Sequence, residues 1–200
     1  MISLKKLLFE SSSDDEYYEF IKNDDIDSLK KIIELNAKNK GYNVGPVYHK
    51  TNQKFNKIDT SKLSKSSVWG PAFYAVISGT WNPGHLSKGE LIEGYVGGNI
   101  INFTQPLKKE DIVRLSNFIK RPVEAMPFIT LEKRFGSVSN GLLQAGYSAA
   151  IHKGPGETGL HIAIFDPKMF KLSDLITYDD NKQIIPLSQR FDSSTEDIRY

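Results

Sequence analysis

Apolar residues recur at helical spacing over the first forty positions of the chain. Isoleucine and leucine residues mark one face of a helix within residues 25–41, and a shorter helix precedes it at 15–23. Between the N-terminal residues and this helix lies SSSDDE, residues 11–16, in which a serine and a glutamate have the spacing of a capping box. We therefore predict a linker there, and a helical hairpin over residues 11–43.

The pattern changes to strands in the middle of the chain, where short runs are rich in β-branched and aromatic residues. Predicted strands cover residues 44–49, 68–79, 99–106, 147–153 and 160–167, and amphipathic helices cover 108–121 and 132–146. Because helices lead and short strands dominate afterwards, the pattern predicts an α+β domain over residues 44–178. Residues 179–200 are polar and turn-rich, and we expect them to extend over the surface as a tail.

The composition of the chain reduces the number of partners and sites that we expect for it. The 26 basic and 24 acidic side chains leave a net charge of +2, which gives no electrostatic reason to expect a nucleic acid or an acidic membrane as partner. There is no cysteine, so disulfides and thiolate metal sites are excluded. No apolar run approaches the roughly 18 residues of a membrane helix, and the apolar part of the N-terminus, LLF, is shorter than a secretory signal.

Two local patterns are candidates for ligand chemistry. His49 closes the strand GPVYH, and a neutral imidazole there can donate one hydrogen bond and accept another. In WGPAFY, Gly70 and Pro71 form a turn before Phe73 and Tyr74, and a flat aromatic side chain can pack on a heteroaromatic ring. Histidines at strand ends and aromatic residues at this spacing are more often structural, so both interpretations stay open at this point.

Other patterns have simpler interpretations. KGPGETG, residues 153–159, lacks the spacing of a phosphate-binding loop and joins two strands, so we predict a hairpin loop. His152 and His161 flank it and are expected to face each other, but without cysteines they do not predict a zinc site. SKLSK, residues 61–65, lacks the partner motifs of acyl-serine enzymes, and the lysines between 50 and 65 are expected to form a solvated face.

The order of the segments resembles a known family. AKNKGY, VYHKT, FNKIDTSKL and GPAFY, in that order between residues 37 and 74, are similar to A-x-x-x-GY, YHGT, F-x-x-F-D and G-x-G-F-Y-F-T of phage-borne ADP-ribosyltransferase-like domains. LLQAGYSAAI and IAIFDPKMFK resemble that family's L-x-x-x-GYDGI and VVF-[DN]-P-x-x-I-K. The tail from residue 177 resembles the family's C-terminal signature. The similarity extends over residues 14–200.

The resemblance implies a split β-sandwich that binds NAD in a cleft. In this family's H-Y-E type, a histidine donates to the ribose and a tyrosine stacks on the nicotinamide; these positions are His49 and Tyr74 here. The backbone of the residue after the histidine holds the nicotinamide amide, and that residue is Lys50. With no metal expected, the residues that the resemblance implies for NAD binding are His49, Lys50, Thr51, Gly70, Phe73 and Tyr74.

The family's third functional residue is a glutamate that orients the ribose and stabilises the oxocarbenium-like transition state. Two positions depart from the family pattern. Lys50 replaces a glycine, and His161 stands where relatives have an acidic residue. The nearest carboxylate is Glu157, four residues upstream, which we expect to be catalytic together with His49 if the chain is an enzyme.

The first ten residues, MISLKKLLFE, resemble the capsid-targeting peptides of T-even-like phages, which are cut after a Leu/Ile-x-Glu site. Leu8, Phe9 and Glu10 fit that rule. The leading hypothesis is therefore a phage protein packaged in the capsid interior and injected into the host cytoplasm, where it transfers ADP-ribose from NAD to a host macromolecule. The alternative is a catalytically degenerate domain that serves the virion or binds a partner, and a nuclease is disfavoured by the charge balance.

Overall fold

The computed structural model describes residues 4–63, 67, 69–77, 89–123, 127–153 and 159–200. Five α-helices and seven strands make up its regular structure. The helices are α1 (Leu4–Lys22), α2 (Ile26–Asn39), α3 (Lys109–Ile119), α4 (Phe128–Phe135) and α5 (Val138–Gln144). The strands are β1 (Val44–Thr51), β2 (Phe73–Ile77), β3 (Glu90–Val96), β4 (Ile100–Asn102), β5 (Ala149–His152), β6 (His161–Ile164) and β7 (Phe170–Leu172).

All seven strands belong to one sheet, in the order β4-β5-β6-β2-β1-β3-β7. Its neighbours are antiparallel except β4 and β5, which run parallel. The mixed composition of helices and a curled sheet confirms the predicted α+β class. β1 lies between β2 and β3, so the strand that carries His49 is central in the sheet.

Side chains alternate between two apolar clusters along the central strands, as the two-residue period of a strand requires. One cluster packs under helices α3, α4 and α5 and contains Trp69, Leu115, Leu131, Leu142, Tyr147 and Ala163. The other contains Val47, Phe73, Ile164 and Phe170, and is completed by Ile58 and Ile198 from irregular segments. The second sheet face is thus covered partly by loops, and this is the face that bears the candidate site.

The N-terminal helices differ from the prediction at one point. α1 runs without interruption from Leu4 to Lys22, so the linker and helix start predicted at residues 11–16 are wrong. Asp14 does not cap a helix but accepts hydrogen bonds from the backbone amide of Ser188 (2.7 Å) and from its hydroxyl (2.6 Å). This tertiary contact stabilises a continuous helix whose serine-rich sequence alone favours a break.

The helix predicted over 132–146 is two helices in the structure. Gly136 adopts a left-handed backbone conformation that ends α4, and the side chain of Ser137 caps α5 by accepting from the amide of Asn140 at 3.1 Å. These are the ordinary end and start signals of helices. Two strands, the seven-residue β3 and the short β7, were absent from the sequence prediction, and the strands predicted over 68–79 and 99–106 are shorter than expected.

The tail contains one short 3-10 helix, Leu187–Gln189, and is more than a surface appendage. Its apolar side chains Ile185, Leu187, Phe191 and Ile198 are buried, and so is Arg190. Leu187 and Phe191 pack against α1 and α2 in a third apolar cluster. The prediction that the tail lies only over the surface is therefore wrong, because its apolar residues complete the core. Within the described part of the chain, no helix is both long enough and apolar enough to cross a membrane.

Candidate ligand-binding site beside His49

A cavity of about 390 Å³ opens between the sheet and the irregular segment that follows β1. Ligand pockets in proteins commonly have volumes of roughly 300–1,000 Å³, so it is large enough for part of a nucleotide. We call residues 52–63 the pocket loop, because they form one wall. The sheet side of the cavity is lined by His49, Thr51, Ala72, Phe73 and Tyr74, and the loop side by Gln53, Lys54, Phe55, Lys57, Ile58, Asp59, Lys62 and Leu63.

His49 lies within β1 rather than at its end, because the strand continues to Thr51. Its Nδ1 lies 2.7 Å from the carbonyl oxygen of Tyr74. A carbonyl can only accept, so Nδ1 carries the proton. Burial lowers the pKa of His49 below its usual value, although the hydrogen bond to Tyr74 opposes that shift. The ring is therefore neutral at pH 7, and its Nε2 is an acceptor for a hydroxyl of a ligand.

Phe73 holds the His49 ring from one side. The two ring centroids are 4.2 Å apart, and Phe73 in turn contacts Phe170 at 5.0 Å and Phe55 at 6.1 Å. Only 4% of Phe73 is exposed, so its face is already covered by protein. Phe73 therefore supports the histidine and is not a free stacking surface for a ligand.

Tyr74 is oriented by two hydrogen bonds at its hydroxyl. The hydroxyl donates to the carbonyl oxygen of Gly70 at 2.8 Å, and because its one proton is committed there, Ser67 donates to it in a short contact. Burial raises the pKa of Tyr74, with an opposing effect from Ser67, so the phenol stays protonated. The ring is partly buried and packs against the cluster that contains Trp69.

Gly70 supports this arrangement from outside the cavity wall. Its φ of +87° lies in the left-handed region, and a Cβ at this position would lie 2.5 Å from the Cβ of Ser137. Its amide donates to the carbonyl oxygen of Ser67 at 2.9 Å. Only glycine fits both the backbone conformation and the close approach of α5.

The structure thus brings four of the predicted residues to one cavity: His49, Thr51, Phe73 and Tyr74. Lys50 is not among the lining residues, because strand alternation turns its side chain to the opposite face from His49. Gly70 is not among the lining residues either, but its carbonyl oxygen accepts from the Tyr74 hydroxyl and so orients that side chain. Glu157 lies outside the described residues.

The pocket loop was the part of the site that the sequence did not predict. Its lysines, expected to form a solvated face, are exposed but also line the cavity. Lys54 pairs with Glu90 at 3.4 Å and Lys62 with Asp59 at 3.5 Å, while Lys57 pairs with Glu196. Phe55 and Leu63 between them supply apolar walls. A local signal exists in FNKIDTSKL, where apolar residues alternate with charged ones, but it does not indicate what the loop packs against.

The histidine pair on the neighbouring strands is arranged as predicted. His152 and His161 are directly paired across β5 and β6, and their ring centroids are 5.7 Å apart. Trp69 contacts His152 at 4.8 Å, so the pair belongs to an aromatic stack. Among the described residues, no group of three or more histidine and acidic side chains could hold a metal ion.

Comparisons with known proteins give no family for the chain: no family model, no curated protein and no solved structure matches it. Its function must therefore be argued from its own residues.

Proposed function

We propose that the cavity beside His49 binds NAD and that the chain is an ADP-ribosyltransferase with the curled sheet of a split β-sandwich. The observation that carries this proposal is the neutral His49, which lines the cavity and whose protonated Nδ1 is fixed by the Tyr74 carbonyl, so that its Nε2 is an acceptor. A sugar hydroxyl is a suitable donor to that atom. The ordered motifs from AKNKGY to DIRY support the same assignment.

In the proposed reaction, the bond between the ribose C1′ and the nicotinamide nitrogen breaks, and the acceptor atom of a host macromolecule forms a bond to C1′. The acceptor's proton leaves, and nicotinamide takes the electron pair of the broken bond. His49 accepts from a ribose hydroxyl, so it holds the sugar for attack. Tyr74 fixes the His49 ring through its carbonyl oxygen, while its own ring packs on the other face of the sheet. Glu157 is the proposed carboxylate that stabilises the positive charge developing on the ribose.

This assignment differs from the family's usual pattern in one respect. The family's histidine is expected to donate to the ribose, whereas the neutral ring of His49 already uses its donor on the Tyr74 carbonyl. The contact with the sugar is therefore one in which the hydroxyl donates. The difference matters for pH, because protonation of Nε2 at low pH removes the acceptor and weakens ribose binding.

A second function is favoured because the carboxylate that lines the cavity is already engaged in hydrogen bonds. Among the lining residues that the structure describes, the carboxylate is Asp59, and its Oδ1 already accepts from the Ser61 amide at 3.0 Å and hydroxyl at 2.6 Å. His161 stands at the family's acidic position. In this second proposal the domain binds a nucleotide or a protein partner, including phage head components, without cleaving NAD.

The two proposals differ in NAD turnover. We expect the purified protein to transfer label from NAD carrying a radioactive adenylate phosphate to a component of a host lysate, and to release nicotinamide in equal amount. His49→Ala is expected to lower the transfer by about 100-fold or more, because the ribose loses an orienting contact. Tyr48→Phe, a change on the opposite face of the same strand, is the matched control and is expected to be near wild type.

Three outcomes of this assay are informative. Neither transfer nor nicotinamide release by the wild-type protein contradicts the transferase proposal and leaves the binding module. Transfer that is unchanged in His49→Ala contradicts the role of that histidine. Transfer that is unchanged in Glu157→Ala contradicts only the choice of carboxylate.

We also propose that the chain is packaged through residues 1–10 and reaches the host cytoplasm by injection. The support is the Leu8-Phe9-Glu10 pattern, which α1 places within a helix. A protease needs an extended substrate, so cleavage there requires local unwinding of the first turns of α1. Mass spectrometry of virion proteins is expected to show a mature chain that begins at Ser11, and an uncut N-terminal segment in virions contradicts the proposal.

A further inference from the structure

The pocket loop has little regular structure of its own. A single short 3-10 helix, Thr60–Lys62, is the only regular element within it, and the loop nevertheless supplies most of one wall of the cavity. Its conformation therefore depends on contacts with other parts of the chain. Several of these contacts involve residues 195–199 of the tail, which we call the latch segment.

The latch segment lies between β7 and the pocket loop and is hydrogen-bonded to both. The amide of Leu172 donates to the carbonyl oxygen of Ile198 at 2.8 Å, and the amide of Ile198 donates to the carbonyl oxygen of Asn56 at 2.8 Å. Lys57 and Asp197 form an antiparallel bridge next to this point. One residue of the latch segment thus connects the edge strand of the sheet to the loop.

Side chains reinforce the same connection. Ile198 is 1% exposed and packs in the apolar cluster that also holds Ile58 of the pocket loop and Phe170 of β7. Glu196 pairs with Lys57, whose side chain lines the cavity. The apolar contact is the stronger of the two, because an exposed ion pair contributes little.

A buried ammonium group fastens the latch segment to the sheet. Lys171 is 1% exposed, and its Nζ donates to the carbonyl oxygens of Thr195 at 2.9 Å and Asp197 at 2.8 Å. Burial lowers the pKa of Lys171 to about 8, against the opposing effects of nearby aspartates, so the group is mainly charged at pH 7. Burying a lysine is unfavourable unless its protons are satisfied, and here two carbonyls of one segment satisfy them.

The outer end of the latch segment is fixed independently. The Arg199 guanidinium binds both carboxylate oxygens of Asp197, with Nε at 3.0 Å from Oδ1 and Nη2 at 2.7 Å from Oδ2. Its Nη1 reaches the carboxylate of Asp180 at 2.8 Å and the carbonyl oxygen of Tyr178 at 3.2 Å. Arg199 therefore ties the latch segment to the earlier part of the tail.

We propose that residues 195–199 are a latch that sets the shape of the cavity by holding the pocket loop against β7, with Lys171 as its positioning residue. Release of the latch segment removes the backbone contact at Asn56 and the apolar contact at Ile58, so the loop wall loses its support. A ligand that needs this wall therefore favours the docked latch segment, and docking favours the ligand. The proposal concerns the shape of the cavity and does not depend on NAD being its ligand.

Hydrogen exchange followed by mass spectrometry tests the latch in the full chain. In Lys171→Met, which leaves two carbonyls without their donor, we expect amides of residues 52–63 and 193–200 to exchange about tenfold faster or more. Amides of α3 are expected to keep the wild-type rate. Lys133→Met, the same change at an exposed lysine of α4, is the control and is expected to alter neither segment.

Faster exchange at 193–200 with wild-type exchange at 52–63 overturns the proposal, because the latch segment then moves without the loop. A second comparison decides the question if Lys171→Met destabilises the whole fold. The Lys57→Cys/Asp197→Cys double variant places two cysteines at bridged positions, within the Cα separation of about 4.4–6.8 Å that a disulfide needs. The chain has no other cysteine with which they can pair.

The double variant is compared with itself, oxidised and reduced. If the latch holds the loop, we expect oxidation to slow exchange at residues 58–63, beyond the crosslinked position, by severalfold relative to the reduced protein. Equal exchange of residues 58–63 in the two forms overturns the proposal. Because both forms have the same sequence, a loss of stability caused by the substitutions cancels in the comparison.

Discussion

Phe170→Ala is expected to lower the free energy of unfolding by about 3–5 kcal/mol, as removal of a fully buried aromatic ring usually does. Phe170 is 0% exposed and its ring centroid lies 5.0 Å from that of Phe73. It also packs over Gly94, where an added Cβ would lie 2.6 Å from ring atoms. The Phe170 ring of β7 therefore lies directly over Gly94 of β3.

The measurement is equilibrium unfolding by denaturant, with the midpoint compared at equal slope. Ile129→Ala is the control, because Ile129 is 69% exposed and its change is expected to stay within about 0.5 kcal/mol. A loss below 1 kcal/mol in Phe170→Ala contradicts the packing of β7 on β3. The same variant is expected to loosen the His49 ring, which rests on Phe73.

Gly70→Ala is expected to destabilise the protein by about 2–5 kcal/mol. A left-handed conformation costs a residue with a Cβ about 1–2 kcal/mol, and overpacking adds about 1–3 kcal/mol. The overpacking arises because the new Cβ would lie 2.5 Å from the Cβ of Ser137 and 3.0 Å from its Oγ. Any shift that relieves the contact also moves the carbonyl oxygen that orients the Tyr74 hydroxyl.

Gly136→Ala separates the two contributions. Gly136 has a φ of +79°, close to the +87° of Gly70, but an added Cβ would meet no atom within 4 Å. Its substitution is therefore expected to show only the conformational cost. Unfolding curves of both variants give the overpacking as their difference, and equal losses contradict the close approach of α5 to Gly70.

The sequence predicts the class of the fold well because the periods of its apolar residues are strong. Helical spacing over residues 25–41 and the β-branched and aromatic runs near 73–77 and 161–164 identify elements that the structure contains. β3 is different, because ELIEGYV carries two glutamates and a glycine. It is a strand through its position between β1 and β7, where both edges are hydrogen-bonded. Such pairing is a tertiary effect that local propensity does not encode.

Two buried charged residues could not be predicted from the sequence. Arg190 and Lys171 are each 1% exposed, although charged residues are expected to lie at the protein surface. Lys171 is stabilised by carbonyls of residues that lie 24 and 26 positions away in the chain. Nothing in the local sequence indicates those partners, so the contribution of the latch segment to the cavity required the three-dimensional structure.

The sequence predicted the polar residues at the centre of the candidate site, but it did not predict the pocket loop that forms one of its walls. His49 and Tyr74 could be identified because the motif order singles them out, and the structure brings both to one cavity. The hydrogen bond between them, which determines the tautomer of His49, joins a side chain to a backbone carbonyl 25 positions away. Because every residue type has a backbone carbonyl, the sequence does not indicate which residue supplies this acceptor.

Side-chain nitrogen NMR of the protein labelled in its histidines tests the central claim most directly. The chain has four histidines, and His49→Ala identifies the signal of His49 by its loss. At pH 7 we predict a neutral His49 ring with the proton on Nδ1, and a shift of its Nε2 signal when NAD is added at millimolar concentration. A proton on Nε2 contradicts the geometry of the site, and an unchanged His49 signal in the presence of NAD contradicts the proposed ligand.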